Sequence, residues 1–369
     1  MLVDKHDVDA FLTKLQSLDV KLSLKDDGGI NCNAPKNVLT PEIKQQLIAF
    51  KQEIINFLAQ RSEKDIMDFA GKVHANCPHQ LSFSQQRMLM AESISDSGNA
   101  KMPLGIINLK GEVNRIALQK ALEKLIDRHK VLNSYFQKKD AQYVVKYHLD
   151  YPSIAFIDLA TEPNKSLKQI IEEEQRRQFS LFDSCLFHVV LVKTDHDTFS
   201  LILSMHHAIT DGWSTNIFIN EIFALYNANV SEQVHRLAPL KYSYQDYAQA
   251  QNEWLKSDDA EKEKKYWLSS LSGYRGTIKF PEKTHFNKVS NIDCKTFISP
   301  SLTTSIRYFC QSKKVSPFAM LFAIFNILIA RYSGQKDLVI GTPNAGRSNP
   351  DLQSLIGCFI NHAALRTSV

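Results

Sequence analysis

The residues best suited to chemistry are two adjacent histidines in the run Met205-His206-His207-Ala208-Ile209-Thr210-Asp211-Gly212-Trp213-Ser214. Imidazole titrates near neutral pH, so it takes or gives a proton at little cost. The run follows a β-rich segment, Phe199 to Met205, and precedes a helical pattern from about Thr215 to Tyr226. Because side chains alternate along a strand, one imidazole is directed into a cleft and the other into the scaffold. An acid, Asp211, lies in the next turn, and Gly212 allows that turn to be tight and its backbone to be approached closely. As a metal site the pair is poor, because ligand histidines need spacings that share a face, and the cysteines at 32, 77, 185, 294, 310 and 358 form no CxxC pair. No metal is expected, and the thiols read as reduced and structural.

The elements that must hold this run form an α/β layout. Helical patterns at Ile116 to Arg128 and Leu167 to Phe179 alternate with β-rich runs at Ile106 to Leu109, Tyr143 to Tyr147, Leu186 to Val192 and Phe199 to Met205. A charged stretch, Lys256 to Lys265, separates this part from a second α/β segment with an apolar helix, Pro317 to Tyr332, and a strand, Leu338 to Gly341. Ahead of it lies a smaller unit. Val8, Phe11, Leu12, Leu15 and Leu18 share one helical face. Two short alternating runs, 20–24 and 29–33, flank the turn Asp26-Asp27-Gly28-Gly29 and predict a hairpin. Thr40-Pro41-Glu42 starts a helix expected to run to about Ala59. The division expected is an αββα unit at 1–60, a linker at 61–77 with one helical turn at Ile66 to Phe69, and larger lobes at 78–255 and 256–369.

Bulk properties exclude several classes. With 44% hydrophobic and 22% charged residues the chain is that of a packed globular protein. Its 44 basic and 39 acidic residues are interspersed, with no Lys/Arg run to track a phosphate backbone, so nucleic acid is not an expected partner. No stretch reaches membrane-spanning length and the first residues are charged, so a cytoplasmic location is expected.

The first sixty residues resemble the tubulysin-type N-terminal docking domain, through Ala34-Pro35-Lys36 and Leu39-Thr40-Pro41-Glu42 following the helix and hairpin. The resemblance implies that the C-terminal peptide of an upstream synthetase subunit adds as a strand beside the hairpin, at Lys21, Leu22, Ser23, Leu24, Lys25 and Ile30. Lys21 and Lys25 would attract an acidic tail; the plain alternative is a solvated strand face that resists aggregation.

His-His-x-x-x-Asp-Gly between strand and helix resembles the core motif of nonribosomal peptide synthetase condensation domains. Leu81 to Arg87, Arg128 to Leu132, Tyr244 to Ala248 and Ile356 to Asn361 resemble four further motifs of that family, in order. The resemblance implies two chloramphenicol-acetyltransferase-like lobes and amide formation between a donor acyl or peptidyl thioester and an acceptor aminoacyl thioester. Both are carried on phosphopantetheine of peptidyl carrier domains, and the domain binds no cofactor of its own. His207 would be the catalytic residue and His206 scaffold, while Asp211 would hold the turn through an ion pair, with Arg128 as candidate partner. Ser214, Asn361 and His362 are candidates to line the substrate tunnel. Asn133 replaces a usual second arginine, and His362 replaces a usual Thr or Met. The chain stops at Val369, after the fifth motif, so a truncated second lobe is expected. The alternatives are an epimerization domain, disfavoured because no carrier domain precedes the motif, and a non-catalytic docking module. A heterocyclization domain would carry aspartates in place of the histidines. Among condensation subtypes the motifs look most like the class joining an L-configured donor to an L-acceptor.

Overall fold

The computed structural model describes residues 11–12, 15, 18, 20–24, 29–34, 38–60, 66–72, 79–94, 104–139, 142–162, 164–182, 184–235, 237–280 and 296–369. It divides into two compact units, one of residues 1–64, 266–341 and 364–369, the other of 65–265 and 342–363.

The first unit opens on the expected hairpin. Strands β1 (Lys21–Leu24) and β2 (Ile30–Asn33) pair antiparallel, Lys21 opposite Asn33 and Leu24 opposite Ile30. The turn residues between them and Lys25, Pro35 and Lys36 lie outside the described residues. Of the expected first helix, Phe11, Leu12 and Leu15 are helical and buried. The helix expected from Thr40 to Ala59 is two helices, α1 (Pro41–Ala49) and α2 (Lys51–Gln60), parted at Phe50. Thr40 caps α1 with its hydroxyl, Pro41 occupies the first turn, and the break lets Ile43 and Ile54 reach one core with Phe11, Leu12, Leu15 and Val20. Phe50 packs on Phe11, ring centroids 5.4 Å apart.

In the second unit the segment expected to be mostly linker forms a 3-10 helix, Ile66–Lys72, whose Met67 and Phe69 are buried in the main core. Helix α3 (Phe83–Ile94) and strand β3 (Leu104–Lys110) follow, then α4 (Arg115–Arg128), capped by Asn114. Strands β4 (Ser134–Lys139) and β5 (Gln142–Tyr147) make a separate hairpin. Next come β6 (Ala155–Asp158), α5 (Leu167–Gln175), β7 (Phe187–Asp195), β8 (Thr198–Met205), α6 (Gly212–Val230) and α7 (Tyr244–Trp254). Helix α5 stops short of the expected Phe179. The sheet order is β3-β8-β7-β6, with β6 parallel to β7 and the other pairs antiparallel.

Strand β8 is central and buried on both faces, as its run of apolar residues requires. Leu201, Leu203 and Met205 join the main core with α4 and α6, while Ile202 meets Ile170 of α5 on the opposite face. On that second face the cross-strand pair His188 and Ser204 meets a buried carboxylate, Glu174 of α5. Ser204 Oγ donates to it at 2.8 Å, His188 Nδ1 at 3.1 Å, and Arg177 through both Nε and Nη2 at 2.9 and 2.7 Å.

Helix α8 (Asp258–Ser270) replaces the expected charged separator, its exposed surface tied by Lys262–Asp259 and Lys264–Glu261 pairs. Two further helices, α9 (Pro300–Lys313) and α10 (Pro317–Ser333), each start at a capping serine followed by proline. Strands β9 (Asp337–Asn344) and β10 (Asn361–Ser368) pair, and Arg366 grips Asp337 with Nε and Nη2 at 2.9 and 2.7 Å. Among the described residues no single helix is long and apolar enough to cross a membrane; α9 and α10 together pass by composition but are bent by 101°.

Burial pushes the Glu174 carboxyl up, but the hydrogen bonds from His188, Arg177 and Ser204 outweigh it and hold the group at about 2. A carboxyl depressed in the folded state stabilises above its ordinary range near 4.5 and loses that stabilisation as pH falls toward 2. Glu174→Gln is therefore expected to cost on the order of 2 to 3 kcal/mol near pH 7. Thermal melts from pH 7 to pH 2.5 should show the gap between variant and wild type closing as the solution is acidified.

Candidate active site

His206 and His207 sit at the end of β8, where the chain leaves the sheet and before Asp211 starts α6. His206 N–H donates to Leu186 O at 2.8 Å, which continues the ladder with β7 by one more bond. The His206 ring is 2% exposed and turns back on its own loop, where Nδ1 accepts from Ala208 N–H at 3.0 Å. Ala208, Ile209 and Thr210 are fully buried, whereas His207 is half-buried and so keeps contact with solvent. Burial and the neighbouring His206 push the His207 imidazole below its usual range, partly offset by a ring hydrogen bond to the Thr210 backbone and by Asp211. A ring N–H facing the Thr210 carbonyl favours one tautomer of His207.

Asp211 is the cap of α6 and accepts from Ser214 N–H at 2.7 Å. Its ionic partner is Arg347, not Arg128. Arg347 Nη2 lies 3.2 Å from both Asp211 oxygens, with side chains 1% and 4% exposed, and Phe359 N–H adds a third donor at 3.1 Å. The same guanidinium donates through Nη1 to Leu352 O and Leu355 O, both at 2.6 Å, and stacks 3.9 Å over the Phe359 ring. Arg128 instead donates to Glu221 of α6 at 2.9 Å. Glu221 also receives His129 Nε2 at 2.8 Å, while His129 Nδ1 accepts from Ile356 N–H at 3.4 Å. Both charges of the expected pair are thus used, each with another partner.

The signal for Arg347 lay in Asn344-Ala345-Gly346-Arg347, where the chain leaves the end of β9. Gly346 has φ +67°, and a Cβ there would lie 2.2 Å from Phe359 O, so the backbone closes tightly on the loop that Arg347 pins. Gly212 needs no such freedom. It occupies the first turn of α6, and a Cβ there would meet nothing within 4 Å.

Ser214 does not line a cavity. It is fully buried, its hydroxyl donates to Gly357 O at 2.9 Å, and it accepts from Gly357 N–H at 3.0 Å and from Arg347 Nη2 at 2.8 Å. Asn361 and His362 open strand β10 with exposed side chains, and Asn361 Oδ1 accepts from His362 N–H. Asn133, where a second arginine is usual, is buried and donates to His148 O and Asp150 O.

The remaining motifs converge here through side-chain to backbone bonds. Tyr244 of α7 donates to Cys358 O at 2.8 Å and meets Ser82 Oγ at 2.7 Å; its ring fills the space beside Gly357, where a Cβ would come within 2.0 Å. Ser84 Oγ and Arg87 Nη2 both donate to Ile360 O. Helix α7 also holds the start of α3, with Gln245 donating to Gln80 O, Asn252 to Leu81 O, and Gln251 accepting from Phe83 N–H. No three His, Cys, Asp or Glu side chains converge as a metal set among the described residues.

The site therefore consists of a half-buried imidazole at the end of a central strand, on a turn pinned by a buried Asp–Arg pair. Residues 78–369 match the condensation domain family, and residues 8–60 match the TubC N-terminal docking domain. The chain belongs to the condensation domain family, with a docking domain of the TubC type ahead of it. The match running through 78–369 gives no support to the expected truncation of the second lobe.

The chain is 32% identical over 330 residues to malpinin synthetase of Mortierella alpina, covering 87% of this chain and 4% of that protein. It is 30% identical over 289 residues to gramicidin S synthase 2 of Brevibacillus brevis, covering 78% and 6%. It therefore spans a small fraction of the length of these relatives. In fold it is similar to SgcC5 of Streptomyces globisporus (TM-score 0.64, 23% identity, 78% of this chain and 68% of that one). It is equally similar to a condensation domain structure from the enacyloxin polyketide synthase (TM-score 0.64, 20% identity, 99% and 72%). The mixed α/β architecture is the chloramphenicol-acetyltransferase-like fold expected.

Removing one member of a buried ion pair strands the other charge and typically costs about 3 to 5 kcal/mol. Asp211→Ala and Arg347→Ala are each expected to do so. A double-mutant cycle in denaturant unfolding should show strong coupling for Asp211 with Arg347 and near-additivity for Asp211 with Arg128.

Proposed function

We propose that the chain catalyses amide formation between two carrier-bound thioesters and receives its donor from a separate synthetase subunit. The observation that carries this reading is His207, a half-buried imidazole at the end of β8 on a turn pinned by the buried Asp211–Arg347 pair. The acceptor amine attacks the donor thioester carbonyl, so that the N–C bond forms and the C–S bond breaks. His207 takes the proton from the amine and returns it to the departing thiolate. Its lowered proton affinity keeps it neutral near pH 7, the form able to accept that proton. A thioester is already activated, and a rigid turn contributes by positioning.

In this reading donor and acceptor arrive on phosphopantetheine arms of carrier domains, and the domain binds no cofactor itself. Asp211, Arg347 and Ser214 serve as framework rather than as reacting groups, and His206 belongs to the scaffold. The division into 1–60, 61–77, 78–255 and 256–369 and a cytoplasmic location belong to the same reading. The gramicidin S and malpinin synthetases, to which the chain is similar, are named for their products, which supports a role in product assembly.

The hairpin supplies the second half of the proposal. Among the described residues β1 and β2 form a two-stranded sheet, and half-buried Leu22, Ile30 and Cys32 pack on the small core. A partner tail adding as a third strand gains backbone hydrogen bonds, and Lys21 and Lys25 attract an acidic sequence.

Single-turnover dipeptide formation between donor- and acceptor-loaded carriers tests the catalytic half. His207→Ala is expected to lose roughly 10²- to 10⁴-fold in rate while melting as wild type does. His206→Ala should mainly lower the melting temperature. Normal turnover by a folded His207→Ala variant would remove the assignment, and loss confined to epimerization of a bound residue would favour an epimerase.

For the docking half, NMR titration with the tail peptide of the upstream subunit should shift resonances along residues 20–33. Charge reversal at Lys21 and Lys25 should weaken binding most at low salt. An unchanged spectrum would refute docking at the hairpin.

A further inference from the structure

Resting on the reading of His207 as the group beside the reacting amine, we infer that Gln85 is a positioning residue whose side-chain amide holds the His207 turn in its working geometry. Gln85 lies in the first turn of α3 and is 1% exposed. Half of its bonding is explained by the helix itself. Gln85 N–H donates to Ser82 Oγ at 3.2 Å and Gln85 Oε1 accepts from Ser82 N–H at 3.0 Å, the reciprocal pair of a capping box. Glutamate would serve that box equally well.

The other half is not explained by the cap. With Oε1 facing an N–H, Nε2 is directed away from α3, and it donates to Ala208 O at 3.1 Å. Ala208 directly follows His207, and its N–H is already given to His206 Nδ1. Both polar groups of this fully buried residue's backbone are thus satisfied by side chains, so that the turn is specified from outside the sheet. Thr210, which receives the His207 ring, is two residues further on.

The cap is in turn anchored across the unit. Tyr244 gives its proton to Cys358 O, so the Ser82 hydroxyl donates to the Tyr244 oxygen, and the chain of bonds runs from Ala208 through Gln85, Ser82 and Tyr244 to Cys358. An amide is required at position 85 because it accepts on one side and donates on the other. A carboxylate presents an acceptor to the Ala208 carbonyl and pushes the turn away.

The decisive variant is Gln85→Glu, which keeps the cap and removes the donor; Gln85→Met, of similar length, removes both. In the full chain with 15N-labelled histidine, the side-chain 15N shifts of His207, assigned by their loss in His207→Ala, report its tautomer. Wild type is expected to show one tautomer, and Gln85→Glu and Gln85→Met a mixture. Single-turnover rates with the same loaded carriers should fall about 10- to 100-fold while the melting transition remains cooperative. A wild-type tautomer in whichever variant folds overturns the inference, as does a shifted tautomer with an unchanged rate. Normal turnover by His207→Ala would instead remove the catalytic reading, and the tautomer result would still stand.

Discussion

A carboxylate cannot be buried without a partner, and the conformation around the histidines follows from how Asp211 is satisfied. Its two oxygens take one backbone N–H from the start of α6, one from Phe359 and the Arg347 guanidinium. One donor opens α6 and the other two belong to the loop 347–360, and each is nearly or fully out of water. The desolvation of both ions is repaid only if the geometry is good and the remaining donors are used. Arg347 meets that condition by also holding Leu352 O and Leu355 O. The pair therefore acts less as a source of stability than as a register mark, fixing where the loop 347–360 passes the end of β8.

Around that mark the packing leaves little freedom. The Tyr244 ring occupies the place a side chain at 357 would take, and the Phe359 carbonyl occupies the place a side chain at 346 would take. Interiors of this density transmit displacement rather than absorb it. A shift of the loop would move Tyr244, and with it Ser82 and the start of α3. The turn bearing His207 is held from both directions, by Asp211 on its far side and by Gln85 on its near side.

The other buried acids follow the same rule at greater distance. Glu221 ties α6 to the end of α4 through Arg128 and His129, and His129 passes the connection on to Ile356. Glu174 ties α5 to the middle of the sheet through His188 and Ser204. Each carboxylate sits on a helix and is met by donors from a neighbouring element. Their hydrogen bonds hold both groups below the usual carboxylate range despite burial. Helices that meet the sheet chiefly through apolar contact thereby acquire a fixed azimuth.

Much of this protein was legible in its sequence because local rules suffice for it. Short β-rich runs identified β7 and β8, Thr40-Pro41 before an apolar period identified the start of α1, and the order of short motifs identified the family and the histidine turn. Such signals depend on residues a few positions apart. The partner of Asp211 was not of that kind. Arg128 stood in a recognised motif and carried the right charge, yet it lies on α4 facing Glu221, while Arg347 approaches from 136 positions away. Ser214 shows the same limit, since its neighbourhood suggested a cavity wall and its bonds to Gly357 make it framework. A hydroxyl or a guanidinium is equally at home in many pairings. Which one forms is decided by where the chain crossings bring donors and acceptors within about 3 Å and exclude water, and that is a property of the tertiary structure alone.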